Sequence, residues 1–305
     1  MAESPVWFIT GASSGFGTAL AEAALKAGNR VIATARNPEK AAREHPQIEA
    51  LGGKWLQLDV TAADVREKVE KVVHEYGKID VAINNAGYSL LGAIEDMRWL
   101  SIGPNLHMLE LQTNAQNSES EIHQEFNTNV YGPIRVIQAV IPSMRTRKAG
   151  TIVNVGSIAG LHGRPACALY AGTKFALEGI SECLAADVAP FNIRILLVEP
   201  GAFHTGFAAA VQKPAAGLTK DYEGTPLQTV VESLNPTGPR PRGDPVKAAA
   251  RIIDVINGTG VGEGKTDLLR LPLGPDCMQR ARTKVESLRT NLDAMEAIAL
   301  STDYD

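Results

Sequence analysis

Short apolar runs recur along the first two hundred residues, at 6–10, 30–34, 54–58, 79–83, 151–155 and 193–198. Each ends in small or polar residues, and stretches with helical spacing lie between them. Residues 18–27 are Ala-rich and stop at Gly28-Asn29. Beyond Thr61, which reads as a helix cap, Val65, Val69, Val72 and Val73 share one face. Residues 124–144 read as one long helix, with Pro133 marking a bend near its start. This alternation predicts a parallel sheet covered by helices on both faces, because a parallel crossover needs a long connection and lays it on a face. In such a sheet ligands bind beyond the carboxyl ends of the strands. No second strand–helix series and no repeat follows, so one domain over 1–305 is expected. Residues 202–243 are rich in Pro, Gly and Thr and read as a mobile substrate loop with a short helical piece at 207–211. Residues 244–256 read as a helix, 266–271 as a seventh, edge strand, and 276–300 as a polar amphipathic helix within a 274–305 tail that offers a surface or subunit contact.

Composition narrows the function classes. The 305 residues are 44% hydrophobic and 21% charged, as in ordinary globular proteins, and the net charge is -4. No block of Lys or Arg occurs, so nucleic acid is not an expected partner. No window approaches the roughly 18 apolar residues of a membrane span. The N-terminal residues run straight into the first apolar run with no secretory pattern, so a cytoplasmic protein is expected. Cys167, Cys183 and Cys277 form no Cys-x-x-Cys pair, so neither a metal nor a disulfide framework is expected. Cys167 reads as a small residue at a helix start, and the six histidines show no ligand spacing; His162 and His204 are possible neighbours of a pocket.

Two stretches carry chemistry. Gly11-Ala12-Ser13-Ser14-Gly15-Phe16-Gly17 stands between a strand and a helix, a Gly-x-x-x-Gly-x-Gly form of the dinucleotide turn. Glycines there permit close backbone approach, and the helix N-terminal amides face a pyrophosphate. Tyr170 and Lys174 lie one turn apart on a helix, and a nearby ammonium favours a phenolate, so the pair can exchange protons with a carbonyl or alcohol. Alone, that pair is more often an exposed helix face. At the end of the second run, Ala35 replaces the acid that would bind a ribose 2′-hydroxyl, and Arg36 offers a guanidinium to a 2′-phosphate. The expected cofactor is therefore NADP(H) rather than NAD(H).

Taken in order, Thr10 to Gly17, Asp59-Val60, Asn84-Asn85-Ala86-Gly87, Asn129, Ser157, Tyr170, Lys174 and Pro200-Gly201 with Thr205 resemble the short-chain dehydrogenase/reductase family over about 6–205. The resemblance implies a Rossmann-type, doubly wound, seven-stranded parallel sheet in three α/β/α layers. It implies catalytic roles for Asn129, Ser157, Tyr170 and Lys174: Tyr170 passes the proton, Lys174 holds the ribose and lowers the Tyr170 pKa, Ser157 bonds the substrate oxygen, and Asn129 holds a relay water. It implies that Gly11, Ser13, Ser14, Gly15, Phe16 and Gly17 cradle the pyrophosphate, with Asp59 and Val60 at adenine. Asn85, Ala86 and Gly87 would line the ribose side, and Pro200, Gly201, Phe203 and Thr205 the carboxamide. Read singly, Ser157 could merely end a strand, Asn129 merely bond within a helix and Asp59 merely cap one. The 274–305 tail, ending in Ser-Thr-Asp-Tyr-Asp, is similar to tails of a group of fungal and bacterial members. Homo-oligomers are common in the family.

The chain departs from that pattern between Gly87 and Asn129. The 98–118 segment has no clear period, and an insertion of that length is unusual in a compact domain. Two readings compete, a lid beside the substrate mouth or a retained intron. The resulting expectation is an oxidoreductase interconverting a ketone or aldehyde and an alcohol, on an apolar small molecule. The rivals are chemistry at a carbon–carbon double bond or a dehydration, an NADP(H)-binding sensor without turnover, and a plain interaction module.

Overall fold

The computed structural model describes residues 4–97, 121–233 and 241–304. The 98–118 insertion, with both of its readings, lies outside the described residues.

Seven parallel strands form one sheet: β1 (Val6–Ile9), β2 (Arg30–Ala35), β3 (Lys54–Gln57), β4 (Val81–Asn84), β5 (Gly150–Val155), β6 (Ile193–Pro200) and β7 (Arg270–Leu273). Their order is β3-β2-β1-β4-β5-β6-β7. The chain winds outward from β1 to β3, then returns to start again beside β1. The β1/β4 boundary is therefore the switch point, where the loops after neighbouring strands diverge and open a crevice. The main helices are α1 (Gly15–Lys26), α2 (Val65–Tyr76), α3 (Gly132–Arg147), α4 (Ala168–Val188), α5 (Pro245–Asn257) and α6 (Pro275–Leu300).

The inner strands β1 and β4 are almost wholly apolar and fully buried because both faces are covered, whereas the edge strand β3 exposes Lys54 and Gln57. In β1, Trp7 and Ile9 join a core under α1 and α5 with Leu20, Ala24, Ala249 and Ile252. Val6 and Phe8 point the other way and join Val69, Val136, Val140 and Ile152 under α2 and α3. The period of two in one four-residue strand thus feeds two cores.

Several local expectations are corrected. Thr61 does not cap α2. Its amide and hydroxyl both bond the Asp59 carboxylate, at 2.9 and 2.7 Å, and α2 begins only after Asp64. The seventh strand is Arg270–Leu273, later than 266–271, since its register is set by pairing with β6. Short helices at Pro38–Glu44 and Pro46–Ala50 follow β2, each opened by a proline at its first turn. The 202–243 stretch is fastened rather than free over its first half. Gln212 pairs with Ser89 and Leu91 through backbone bonds of 2.8 and 3.0 Å, and Thr219 bonds Asp96 at 2.5 and 3.0 Å.

Candidate active site

The glycine turn is built by contact. The φ angles of Gly11 and Gly15 are +63° and +55°, a region that side chains disfavour. A Cβ on Gly17 would stand 2.2 Å from the Gly11 carbonyl oxygen and 2.6 Å from Asn85 Nδ2. Asn85 Nδ2 itself donates to the carbonyls of Thr10 and Gly11, both at 3.0 Å. The buried Thr10 hydroxyl accepts from the Asn85 and Ala86 amides at 2.9 and 3.1 Å. The loops after β1 and β4 are thereby locked together at the switch point. Ser14 stands extended at the N-cap of α1, and no side chain caps the first turn. That turn therefore presents amide donors and the positive end of the helix dipole to an anion. The Ser13 carbonyl bonds His45 Nε2 at 2.9 Å.

Around this turn the other residues fall at the same edge. Arg36 is exposed just past β2 and, among the described residues, its side chain has no hydrogen bond or ion pair. Asp59 is engaged with Thr61, and buried Val60 packs on Gly132. Thr205 lies against Gly15, and Phe16 meets Phe203 edge-on with centroids 5.0 Å apart. Pro200 ends β6, and Gly201 is pressed against the Asp276 carboxylate. An open cavity of about 510 Å³ starts at Gly15 and Thr205 and runs along the outside of α1 toward His45 and Val246; its walls do not include Tyr170.

Asn129, Ser157, Tyr170 and Lys174 are brought together. The single helix expected over 124–144 is three pieces: an α-helix Glu121–Phe126, a π-helical turn Asn127–Tyr131, then α3. The wide turn holds Asn129, and π-turns cluster at functional positions. Pro133 has no N–H to offer the Asn129 carbonyl four residues back, which leaves that oxygen without its α-helical donor. The Asn129 side chain is buried and fully engaged. Its Oδ1 accepts from the Tyr88 amide at 3.1 Å, and its Nδ2 donates to the Tyr88 carbonyl at 2.8 Å and to Thr173 Oγ1 at 3.1 Å.

Ser157 lies two residues past β5, caps a short 3-10 turn through a 3.1 Å bond from the Ala159 amide, and faces the Tyr170 hydroxyl, where it favours the phenolate. Tyr170 is partly exposed as a residue, with its ring 5.9 Å from that of Phe207. Lys174 is buried, 5.8 Å from the Tyr170 ring centroid, and its Nζ donates to the Val155 carbonyl at 2.8 Å. Gly87 fits against them: a Cβ there would lie 3.0 Å from Asn129 Oδ1 and 3.8 Å from Lys174 Nζ.

One electrostatic expectation is corrected. In this structure Lys174 does not pull the Tyr170 pKa down. Desolvation pushes the phenol up to about 12, against the opposing Ser157 bond. The ammonium sits over the ring and is committed to Val155, and desolvation lowers its own pKa to about 8.

The sequence analysis assigned no role to Glu125. It is fully buried, one turn before Asn129. Its Oε1 accepts the Leu90 amide at 2.8 Å, while Oε2 is buried without a partner. Burial raises its pKa to about 7, with the Leu90 bond and the Lys174 charge opposing. Its negative charge in turn opposes the fall in the Lys174 pKa. The only hint in the sequence was the four-residue spacing to Asn129. A carboxyl with a raised folded pKa contributes stability that is complete below the ordinary carboxylate range and is lost as pH rises through about 7. Glu125→Gln is therefore expected to flatten the stability profile between pH 5 and 8 in urea titrations. It is also expected to shift the alkaline limb of turnover to lower pH, because Lys174 loses its counter-charge. Unchanged profiles in both would show that Glu125 and Lys174 are not coupled.

The comparisons agree with this architecture. A family model described as short chain dehydrogenase matches residues 5–216. The oxidoreductase claN of Passalora fulva is 43% identical over 75% of this chain and 95% of its own length. A 3-ketodihydrosphingosine reductase of Bacteroides thetaiotaomicron is 37% identical over 81% and 82%. The crystal structure of a short-chain dehydrogenase from Streptomyces avermitilis superposes with a TM-score of 0.79 at 33% identity, covering 100% of both chains. A variant of actinorhodin polyketide ketoreductase, solved with NADPH, has a TM-score of 0.65 at 26% identity, covering 90% of this chain and 97% of its own. The chain belongs to the short-chain dehydrogenase family and is an oxidoreductase of that family, with the nucleotide-binding fold the family carries. Among the described residues no helix is long and apolar enough to cross a membrane.

Proposed function

We propose that the chain is an NADP(H)-dependent oxidoreductase that interconverts a ketone or aldehyde with an alcohol, Tyr170 giving or taking the proton. The observation that carries this reading is the convergence of two hydroxyls, Ser157 and Tyr170, and a buried ammonium, Lys174, at the sheet edge that carries the glycine turn. A carbonyl oxygen between the two hydroxyls would receive two hydrogen bonds. As charge builds on that oxygen, both bonds strengthen, and Tyr170 completes the transfer of its proton. With its pKa held near 12, the phenol is fully protonated at neutral pH, the form that reduction requires. Asn129 would hold the water that returns a proton toward Lys174.

The cradle fits a dinucleotide, since glycine is required at Gly11, Gly15 and Gly17 by φ or by contact. NADPH, when bound, supplies the hydride. Gly11 to Gly17 would hold its pyrophosphate, Asp59 and Val60 its adenine, and Asn85 to Gly87 with Lys174 its ribose. Pro200, Gly201, Phe203 and Thr205 would pack at the carboxamide. Arg36, whose side chain has no partner among the described residues, would meet a 2′-phosphate, and the NADPH held by the ketoreductase relative supports that choice. The 202–243 stretch would close on the substrate, with Phe207 against Tyr170 giving an apolar wall. The named reductase among the relatives supports a carbonyl substrate.

The test is NADPH consumption against a panel of apolar ketones and aldehydes, preceded by fluorescence titration with NADPH and NADH. Arg36→Ala is expected to weaken NADPH about 10-fold or more, since a charge-assisted bond to phosphate contributes about 1.5–3 kcal/mol. NADH should bind it as before. An unchanged NADPH/NADH ratio would remove Arg36 from the site.

A further inference from the structure

The last helix is anchored at one end and bare at the other. Asp276 accepts the Ala202 amide at 2.8 Å, Cys277 Sγ donates to the Glu199 carbonyl at 3.0 Å, and Arg280 Nη2 donates to the His162 carbonyl at 2.7 Å. These bonds seat the first turns of α6 on the carboxyl edge of the sheet. From Val285 to Leu300 every residue is exposed. At 1.5 Å per residue that is about 24 Å of helix with no flank packed among the described residues. An isolated helix of this length is marginal in water, so a partner face is called for.

The exposed face has a definite repeat. Met278, Ala281, Val285, Leu288, Leu292, Met295 and Ala299 follow one another at steps of three, four, three, four, three and four. That is a heptad seam, with Met278, Val285, Leu292 and Ala299 at one core position and Ala281, Leu288 and Met295 at the other. Val285, Leu288, Leu292 and Met295 are 66%, 48%, 71% and 53% exposed. An ordinary amphipathic helix laid on its own domain buries such residues; here they face outward.

Charge selects the occupant. Between 277 and 292 the helix carries Arg280, Arg282, Lys284 and Arg289 against the single acid Glu286. From 293 to 305 the chain carries Asp293, Glu296, Asp303 and Asp305 and no base, the first two of them on the helix. We propose that α6 pairs with α6 of a second copy of this chain as an antiparallel two-helix coil. Antiparallel pairing across the seam lays the basic half of each helix on the acidic half of the other. Val285 then faces the partner's Met295, Leu288 faces the partner's Leu292, and Arg282 flanks the partner's Glu296. The methylenes of Lys284 cover the partner's Ile298, which is 65% exposed in one copy. A parallel coil in register would instead set each Lys284 beside the partner's Arg289, two like-charge contacts with no opposite pair, whereas the antiparallel coil has the two Arg282–Glu296 pairs and a single Arg289–Arg289 contact at its two-fold axis. This pairing makes no use of the cofactor or substrate site.

Sedimentation velocity of the full chain over about 1–50 µM tests the pairing. The double variant Leu288→Glu, Leu292→Glu is expected to lose one association step, with the dissociation constant raised at least 10-fold and NADPH titration unchanged. Both positions are exposed, so the fold should survive, and circular dichroism checks that it does. Arg282→Glu alone and Glu296→Arg alone should each weaken association, and the two together should restore it, as antiparallel contact requires. A monomeric wild type, an assembly indifferent to the Leu288/Leu292 variant, or singles that the double swap fails to rescue would overturn the proposal. So would flotation of the monomer with anionic vesicles that the same two leucines abolish, which would assign the seam to lipid.

Discussion

Tyr170→Phe is expected to bind NADPH within about 2-fold of the wild type and to lose roughly 10²–10⁴-fold in turnover, the range that general acid catalysis supplies. The substitution removes one oxygen and little else. The ring keeps its place 5.9 Å from Phe207 and beneath the Lys174 ammonium, so the neighbours have no cause to move. Ser157 keeps its bond from the Ala159 amide and can still donate to a substrate oxygen. What disappears is the hydroxyl proposed to pass its proton to that oxygen. The wild-type profile has a matching sign. With the phenol held near 12, alcohol oxidation, which needs a proton acceptor, should accelerate as pH rises above neutrality. Reduction should be limited instead by loss of the Lys174 charge near pH 8. Steady-state rates with NADPH titrations on both proteins decide the matter, and turnover within 10-fold of wild type would assign the proton to another group.

The fold was legible because the strands are short, apolar and punctuated. Each of the six apolar runs overlaps a strand of the sheet, with ends that differ by up to two residues, since residues buried on both faces favour an apolar run. The glycine turn was legible for a related reason: its spacing sits between a strand and a helix, and only that context gives glycines such neighbours. The four residues expected at the reaction centre come from three separate stretches of chain, and order along the sheet edge was enough to bring them to one place.

What was not legible depended on bonds that only the folded chain shows. Thr61 looked like a cap for α2, yet its amide and hydroxyl both bond the Asp59 carboxylate two residues back, and the helix began later. The π-turn at Asn129 left no trace in the periodicity, because one extra residue in a turn is indistinguishable from a slight drift of the apolar face; Pro133 was the only sign. The charge state of the site could not be read at all. Tyr170 and Lys174 at four-residue spacing suggested a phenol made more acidic. The folded chain desolvates both groups and turns the ammonium to the Val155 carbonyl, so burial outweighs proximity. Glu125 shows the same limit: a carboxylate on a helix resembles a solvated one until Leu90, thirty-five residues away, is seen to bond it.

Gly17→Ala is expected to abolish measurable NADPH binding and to destabilise the chain by about 1–3 kcal/mol, the usual cost of overpacking. Its new Cβ would lie 2.2 Å from the Gly11 carbonyl oxygen, 2.8 Å from Ala12 Cα and 2.6 Å from Asn85 Nδ2. Two of these are backbone atoms of the turn, and a flexible side chain cannot give way in their stead. If the turn moves, Gly11 must carry its carbonyl away from Asn85, and the Asn85 side chain loses one of its two bonds to the β1 loop. The amide cradle at the start of α1 would then shift relative to Asn85, Ala86 and Gly87, so the two halves of a dinucleotide could no longer be met together. Gly179→Ala provides the control. It lies exposed on α4 with nothing within 4 Å of its Cβ position. The same methyl there should raise stability by up to about 1 kcal/mol through helix propensity and leave NADPH affinity alone. Urea unfolding midpoints and NADPH fluorescence on the two variants separate contact from composition. Wild-type affinity in Gly17→Ala would mean that this turn does not hold the pyrophosphate.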